Sequence, residues 1–223
     1  MPAPPPTDQA PDHELLTQAL AGDEQAFAEF FRRRHRDVFR FVLHMTGSIP
    51  TAEDVVQDVF MVVVRDGARY EAGRATVTAW LCGIARNFVR RRLERDRRLT
   101  PVDFEVDGEA SAADPGSIDP LAGLLRAERI ENLRRAVHAL PVVYREAVVL
   151  CDLEEMSYGD AAAALGCPVG TVRSRLHRAR AILAVRLAAS RLSPAASAVH
   201  NAGRPPALEA GWSRHVEEPD AGN

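Results

Sequence analysis

The stretch 156–187 constrains the fold of this chain more than any other. It begins with Ser157 and Asp160, whose spacing is typical of a capping box at a helix start. A run of alanines then favours helix, and Gly166 is the residue type that ends a helix in the left-handed conformation. Pro168 suits the first turn of the next helix because its missing N–H has no partner there. The stretch therefore predicts two helices joined by a tight turn.

The second of these helices has an apolar face and a polar, cationic face. The apolar face contains four residues at helical spacing: Val172, Leu176, Ala179 and Leu183. The other face contains Thr171, Ser174, His177 and Arg178, with Arg173 beside it. A solvated arginine face on an ordinary helical hairpin is the alternative interpretation. The combination of cap, glycine turn and basic second helix favours a helix-turn-helix that reads the DNA major groove.

The remaining composition excludes several classes of protein. The formal net charge is −3, so any nucleic-acid contact must come from local patches. Three isolated cysteines, Cys82, Cys151 and Cys167, share no metal-ligand spacing with the histidines. We therefore expect reduced thiols, no metal, no cofactor and no catalytic site. Residues 1–11 do not resemble a signal peptide, and no apolar run reaches membrane-spanning length, which predicts a cytoplasmic protein.

The chain divides into two helical domains. Residues 1–11 are rich in proline and are expected to be disordered, whereas 12–99 carry helical patterns. Residues 100–119 contain several acidic residues and no positive charge, which predicts an acidic, flexible linker. A second helical domain occupies 120–192, and 193–223 reads as a disordered tail. The expected fold is all-α.

Two helices of the first domain carry candidate interaction surfaces, and the first of these surfaces is a polar stripe. Asp54, Gln57, Asp58 and Met61 follow one another at helical spacing on a helix that we expect to open at Thr51. Such a stripe is usually solvated surface, but its place on an otherwise apolar helix favours a protein contact.

The next helix, opened by Thr76 or Thr78, carries Trp80 and Ile84 on its apolar side. Its neighbouring polar side contains Arg86, Asn87, Arg90 and Arg91. Such a surface can bind nucleic-acid backbone and stack bases. For Trp80 alone, a place in the core is the favoured interpretation.

Together these patterns resemble the extracytoplasmic-function (ECF) group of bacterial sigma-70-type sigma factors. Residues 52–60, AEDVVQDVF, look like the helix that binds the polymerase clamp. Residues 79–87, AWLCGIARN, look like the segment that reads the melted minus-ten element. Residues 140–150, 157–166 and 168–180 look like the domain that reads the minus-thirty-five element. Three such strings in this order carry the resemblance over about residues 12–192.

The resemblance implies partners and residue roles. Core RNA polymerase would bind Asp54, Gln57, Asp58, Phe60 and Met61, and the acidic linker would follow its nucleic-acid channel. The minus-ten element would contact Trp80, Ile84, Asn87, Arg90 and Arg91. The minus-thirty-five major groove would face Thr171, Arg173, Ser174, His177 and Arg178, with Arg175 near phosphates. An anti-sigma factor, which the sequence does not identify, is also expected.

Three other functions remain open at this point. A helix-turn-helix regulator would bind duplex DNA without polymerase, but it would need neither the acidic stripe nor the Trp80 segment. An enzyme using His and Cys lacks the required spacing. An adaptor that has lost promoter reading would bind polymerase without opening a promoter.

Overall fold

The computed structural model describes residues 10–99 and 120–192, and these residues form helices with no strand. The helices are α1 Asp12–Leu20, α2 Glu24–Thr46, α3 Ile49–Asp66, α4 Val77–Leu99, α5 Pro120–His138, α6 Val142–Val148, α7 Tyr158–Leu165 and α8 Val169–Leu192. A short 3-10 turn, Gly67–Arg69, follows α3, and a π-helical turn, Val149–Leu153, continues α6. The predicted linker, the predicted tail and residues 1–9 lie outside the described residues.

The first domain is built around α2, which packs on α1, α3 and α4. Its amphipathic sequence buries Phe30, Phe41 and Met45 completely. The Asp23 carboxylate accepts hydrogen bonds from the backbone N–H groups of Gln25 and Ala26, at 2.9 and 3.0 Å, and so caps the helix as its position predicts.

The start of α3 differs from the sequence prediction. The helix begins at Ile49, not at Thr51, because the Ser48 hydroxyl accepts a hydrogen bond from the Thr51 N–H at 3.3 Å. The capping residue is therefore Ser48, three residues before the start expected at Thr51. Ala10, which the sequence analysis placed in the disordered segment 1–11, is buried, and its carbonyl accepts a hydrogen bond from Arg33.

The second domain contains the predicted helix-turn-helix, formed by α7 and α8. The Ser157 hydroxyl accepts from the Asp160 N–H at 3.1 Å and donates to the Asp160 carboxylate at 2.7 Å. Gly166 ends α7 with φ of 61°, the left-handed conformation that its place in the sequence predicts. Val172, Leu176 and Ala179 of α8 are buried, which turns the polar face of that helix outward.

The two domains are in contact, with α4 packed against α7. A Cβ atom on Gly83 of α4 would lie 3.3 Å from the carbonyl oxygen of Ala164 of α7. Arg40 pairs with Glu154 at 2.7 Å, and the Thr76 N–H donates to the Asp160 carboxylate at 2.9 Å. Glycine at position 83 therefore permits the close approach of the two helices, and polar contacts also join the domains.

Within the ranges that the structure covers, no helix combines the length and the apolar character required to cross a bilayer.

Candidate nucleic-acid interface

The polar face of α8 is open to solvent. Arg173, Ser174, His177 and Arg178 are exposed, whereas Thr171 and Arg175 are half-buried. The Ser174 hydroxyl donates to the Thr171 carbonyl at 3.0 Å, so it stays close to the helix. All six residues predicted to meet the minus-thirty-five element therefore lie in the first three turns of one helix.

The arginines of this helix differ in their partners. The Arg173 guanidinium lies 5.8 Å from the centre of the Tyr158 ring, a cation–π contact that joins α8 to α7. Arg180, in contrast, forms an ion pair with Asp152 at 2.6 Å. Among the described residues, neither Arg173 nor Arg178 has a carboxylate partner. Two cations on the exposed face therefore remain available for an external anion.

The five candidate residues on α4 do not have equal access to solvent. Asn87 and Arg91 are exposed, whereas Trp80 and Ile84 are half-buried. The Trp80 ring lies against Tyr70, with ring centres 5.4 Å apart, and the Tyr70 hydroxyl donates to the Ala75 carbonyl at 3.0 Å. Trp80 thus has one side in the core and one side toward solvent.

Arg90, the fifth of these residues, is already engaged. Its Nε lies 3.1 Å from Oε1 of Glu146, and the Nε of Arg86 lies 2.8 Å from the same oxygen. Glu146 belongs to α6 of the second domain and is fully buried. Sequence analysis missed Glu146 because only the fold brings it to α4.

Of the five α3 residues expected to bind core polymerase, the four that form the stripe reach the surface. Asp54, Gln57 and Met61 are exposed, and the Asp58 side chain is 46% exposed. Arg92 of α4 pairs with Asp54 at 3.1 Å and with Asp58 at 3.6 Å. Its guanidinium therefore fixes the two carboxylates on the surface.

Phe60, the fifth residue expected to bind core polymerase, is buried. Its ring packs against Phe30 and Phe31, with centres 6.2 and 4.6 Å apart. Phe60 therefore supports this surface from beneath. Val64, which the sequence analysis did not select, is 58% exposed beside Met61 and extends the apolar part of the stripe.

No group of three or more His, Cys, Asp or Glu side chains in 10–99 and 120–192 is arranged to hold a metal ion. The three cysteines are free thiols. Burial, and then the nearby carboxylate of Glu154, raises the pKa of the Cys82 thiol well above its ordinary value.

Two family models match this chain, and each covers one of its helical domains. Residues 30–99 match the family model for Sigma-70 region 2, and residues 130–183 match that for Sigma-70 region 4. The chain is 35% identical over 178 residues to the ECF RNA polymerase sigma factor SigM of Mycobacterium tuberculosis H37Rv, covering 78% of this chain and 83% of that protein. The chain belongs to the ECF sigma factors.

Further matches agree with this ECF sigma factor assignment. SigE of Mycolicibacterium smegmatis is 35% identical over 167 residues, which span 71% of this chain and 62% of SigE. Among solved structures, the sigma factor RpoE of Bartonella quintana, in complex with the anti-sigma factor NepR, matches with a TM-score of 0.58 and 29% identity. It covers 72% of this chain and 96% of its own. CnrH, in complex with the cytosolic domain of CnrY, matches with a TM-score of 0.58 and 27% identity, over 80% and 97% of the two chains.

The two family matches also define how this ECF sigma factor is organised. One falls on the first helical domain and the other on the second, so the all-α, two-domain fold predicted from the sequence is confirmed. The protein is an RNA polymerase sigma factor of promoter-specific transcription initiation. The regulator that acts without polymerase is therefore not the favoured function.

Proposed function

We propose that three surfaces of this sigma factor divide promoter recognition among them. The surface on α8 contacts the minus-thirty-five duplex, the surface on α4 contacts the melted minus-ten element, and the surface on α3 binds core RNA polymerase. The observation that carries the proposal is the open face of α8, where Arg173 and Arg178 lie beside Ser174 and His177 with no carboxylate among the described residues to occupy them.

The chemistry of α8 fits a duplex DNA ligand. An arginine guanidinium can donate two parallel hydrogen bonds to guanine in the major groove, and serine can bond to several base edges. Arg175, which is half-buried with its guanidinium 4.0 Å from the Cys167 sulfur, is placed for backbone phosphate near the start of the helix. The recognition helix thus combines base contacts with a backbone contact.

The chemistry of α4 fits unpaired bases. Asn87 offers both a donor and an acceptor to a base edge, and Arg91 offers a cation to the adjacent backbone. The half-buried Trp80 ring gives this surface an aromatic edge that is held by Tyr70. A melted strand exposes base edges and faces that a closed duplex hides, which is what such a mixed surface can bind.

The surface on α3 fits a protein partner. It joins the carboxylates of Asp54 and Asp58 to the exposed side chains of Met61 and Val64. An apolar centre with charged groups at its edge is typical of protein interfaces. Core polymerase supplies the catalytic chemistry, so this chain needs no catalytic group of its own.

The proposal includes two further elements. The protein acts in the cytoplasm, where core polymerase is found, and an anti-sigma factor holds it inactive until a signal arrives. The anti-sigma factor NepR, bound to RpoE in the Bartonella quintana structure, supports the anti-sigma part of the proposal. The acidic segment 100–119 would follow the nucleic-acid channel of the polymerase, although this segment lies outside the described residues.

Run-off transcription tests the proposed function. The full chain is mixed with core polymerase and a library of promoter fragments, and transcripts are sequenced. We expect a subset of fragments with shared minus-ten and minus-thirty-five sequences to be transcribed only when the chain is present. Binding of the chain to core polymerase without any promoter-dependent transcript would identify an adaptor and overturn the proposal.

A further inference from the structure

One face of α5 is apolar and only partly covered. Leu125, Ile130 and Leu133 are between 39 and 44% exposed. They lie at helical spacing on the same side of α5 as Ala136 and Val137, which are buried in the second domain. The face that packs on the domain core near the end of α5 therefore continues into solvent along the part of the helix before it.

The charges on this face are positive. Arg126 and Arg129 lie on the same side of the helix as the exposed apolar residues, and neither has a carboxylate partner within 10–99 and 120–192. The acidic residues Glu128 and Glu131 fall on the opposite side of α5, where Glu131 pairs with Arg134 at 3.8 Å. A partner that fits this face needs apolar side chains accompanied by carboxylates.

Residues 207–218 have the complementary sequence pattern, although they lie outside the described residues. Leu208, Trp212 and Val216 follow one another at i, i+4 and i+8, the spacing of one helix face. Prolines at 205, 206 and 219 bracket the segment, as suits the two ends of a helix. The carboxylates of the segment, against the single Arg214, are Glu209, Glu217 and Glu218.

The course of the chain brings this segment within reach of α5. The Arg186 guanidinium of α8 donates to the Ala136 carbonyl of α5 at 3.4 Å, and α8 ends shortly afterwards at Leu192. Residues 193–206 separate Leu192 from the segment, and an extended chain of that length spans about 46 Å. The 19 residues of α5 are only about 28 Å long. The segment can therefore lie along α5 of its own molecule.

We propose that residues 207–218 dock as a short amphipathic helix on the open face of α5, with Trp212 against Leu133 at the centre. Arg126 and Arg129 pair with carboxylates of the segment. A helix this short is marginal in water, and Gly211 weakens it further, so the segment becomes helical only when α5 covers its apolar side. The tail that the sequence analysis reads as disordered thus contains one segment that orders by docking.

The tether favours this occupant over others. A segment joined to the same chain has a high effective concentration at α5, which a second copy of the protein does not have. The linker 100–119 also adjoins α5, but its apolar residues Val102, Phe104 and Val106 alternate with acidic ones, which is the period of a strand. Because α5 packs on α8, docking supports the domain that carries the recognition helix. The inference does not depend on the proposed promoter contacts.

Trp212 reports the docking directly. In the full-length chain with Trp80→Phe, Trp212 is the remaining tryptophan. We expect its emission to be blue-shifted, and its quenching by acrylamide several-fold weaker, relative to a free peptide of residues 205–219. Ile130→Ser with Leu133→Ser should return both properties to the peptide values. The matched control is Val185→Ser, which removes an exposed apolar side chain from α8 and should change neither property.

Three results would overturn the proposal. The first is Trp212 emission equal to that of the free peptide. The second is a blue shift that survives Ile130→Ser with Leu133→Ser, because the segment would then dock elsewhere. The third is a blue shift that disappears on dilution, because the occupant of α5 would then be the tail of a second copy.

Limited proteolysis keeps the test decisive if the Trp80→Phe chain does not fold. The sequence contains no lysine, so trypsin cleaves only after arginine, and Arg214 lies inside the segment. In the otherwise unaltered chain, cleavage after Arg214 should be at least about tenfold slower than in the free peptide, since only the undocked fraction is cut. Ile130→Ser with Leu133→Ser should restore the peptide rate, as measured by mass spectrometry. Equal rates in the unaltered chain and the peptide would contradict docking.

Discussion

At the scale of single residues, the partners of each arginine decide what that arginine can bind. Arg180 is neutralised by Asp152, and Arg90 is occupied by Glu146 across the domain interface. Arg173 instead rests over the Tyr158 ring, which orients the guanidinium and leaves its donors free for a ligand. A count of positive residues would not separate these cases, since they differ only in which carboxylates the fold places beside them.

We predict that Arg173→Ala and Arg178→Ala each weaken binding to promoter duplex. Loss of one bidentate contact to a base costs about 1–3 kcal/mol, or about 5- to 100-fold in affinity. The measurement is equilibrium binding of the holoenzyme to minus-thirty-five duplexes of matched and altered sequence. Arg129→Ala, an exposed arginine on α5, is the control for charge alone. Equal losses in all three variants would show that the contact is not specific to α8.

A second prediction at this scale concerns pH. Burial, and then the adjacent Arg145 guanidinium, lowers the pKa of His138 from 6.5 to about 4. Between pH 6.5 and about 4 this imidazole is protonated in the unfolded chain and neutral in the folded chain, so its contribution to the free energy of unfolding falls as the pH is lowered through this range. His138→Gln should reduce that fall, as measured by urea unfolding at several pH values.

The control for the pH experiment is His13→Gln, which replaces an exposed histidine on α1. Wild type and His13→Gln should show the same slope of stability against pH. A His138→Gln profile parallel to the wild-type profile would contradict the assignment of this range to His138. Some slope should remain in the variant, because burial also lowers the pKa of His44.

At the scale of helices, local chemistry made much of the fold predictable. Asp23, Ser157 and Gly166 carry out the capping roles that their sequence positions indicate. The sequence analysis placed the start of α3 at Thr51, although the helix begins at Ile49. Ser48 and Thr51 are both suitable capping residues, and only the path of the chain after Gly47 shows that Ser48 is the one that caps the helix. Phe60 was predicted to bind polymerase because it lies in the sequence string 52–60, but a string does not show which side of a helix is buried. In the structure, Phe60 packs on Phe30 and Phe31 and is therefore on the buried side.

The exposed stripe of α3 leads to a prediction about polymerase binding. Asp54→Arg with Asp58→Arg reverses two surface charges and places both beside Arg92, so we expect binding to core polymerase to fall at least about tenfold. Pull-down and fluorescence anisotropy with core polymerase measure the loss. Glu128→Arg with Glu131→Arg makes the same change of charge on α5 and is the control. Unchanged binding of the α3 variant would remove this surface from the polymerase interface.

At the scale of the whole molecule, the least predictable feature is how the domains meet. Arg86 and Glu146 are 60 residues apart in sequence, and no periodicity or cap relates them. Arg40 and Glu154 are separated by 114 residues. Charge patterning did identify arginines on α4 as available to an anion. It could not indicate that the anion nearest to them belongs to the same chain.

The cavity between the domains, of about 450 Å³, contains a thiol whose reactivity would report any separation of the domains. It is lined by Cys82 of α4 together with Arg40 and Glu154, and the Cys82 side chain is 1% exposed. In a chain carrying Cys151→Ser and Cys167→Ser, Cys82 is the remaining thiol. We expect maleimide to alkylate it slowly in the resting protein and several-fold faster once core polymerase is added. The rate of thiol modification would then report how polymerase binding changes the contact between the domains, without a dye, a promoter or nucleotides.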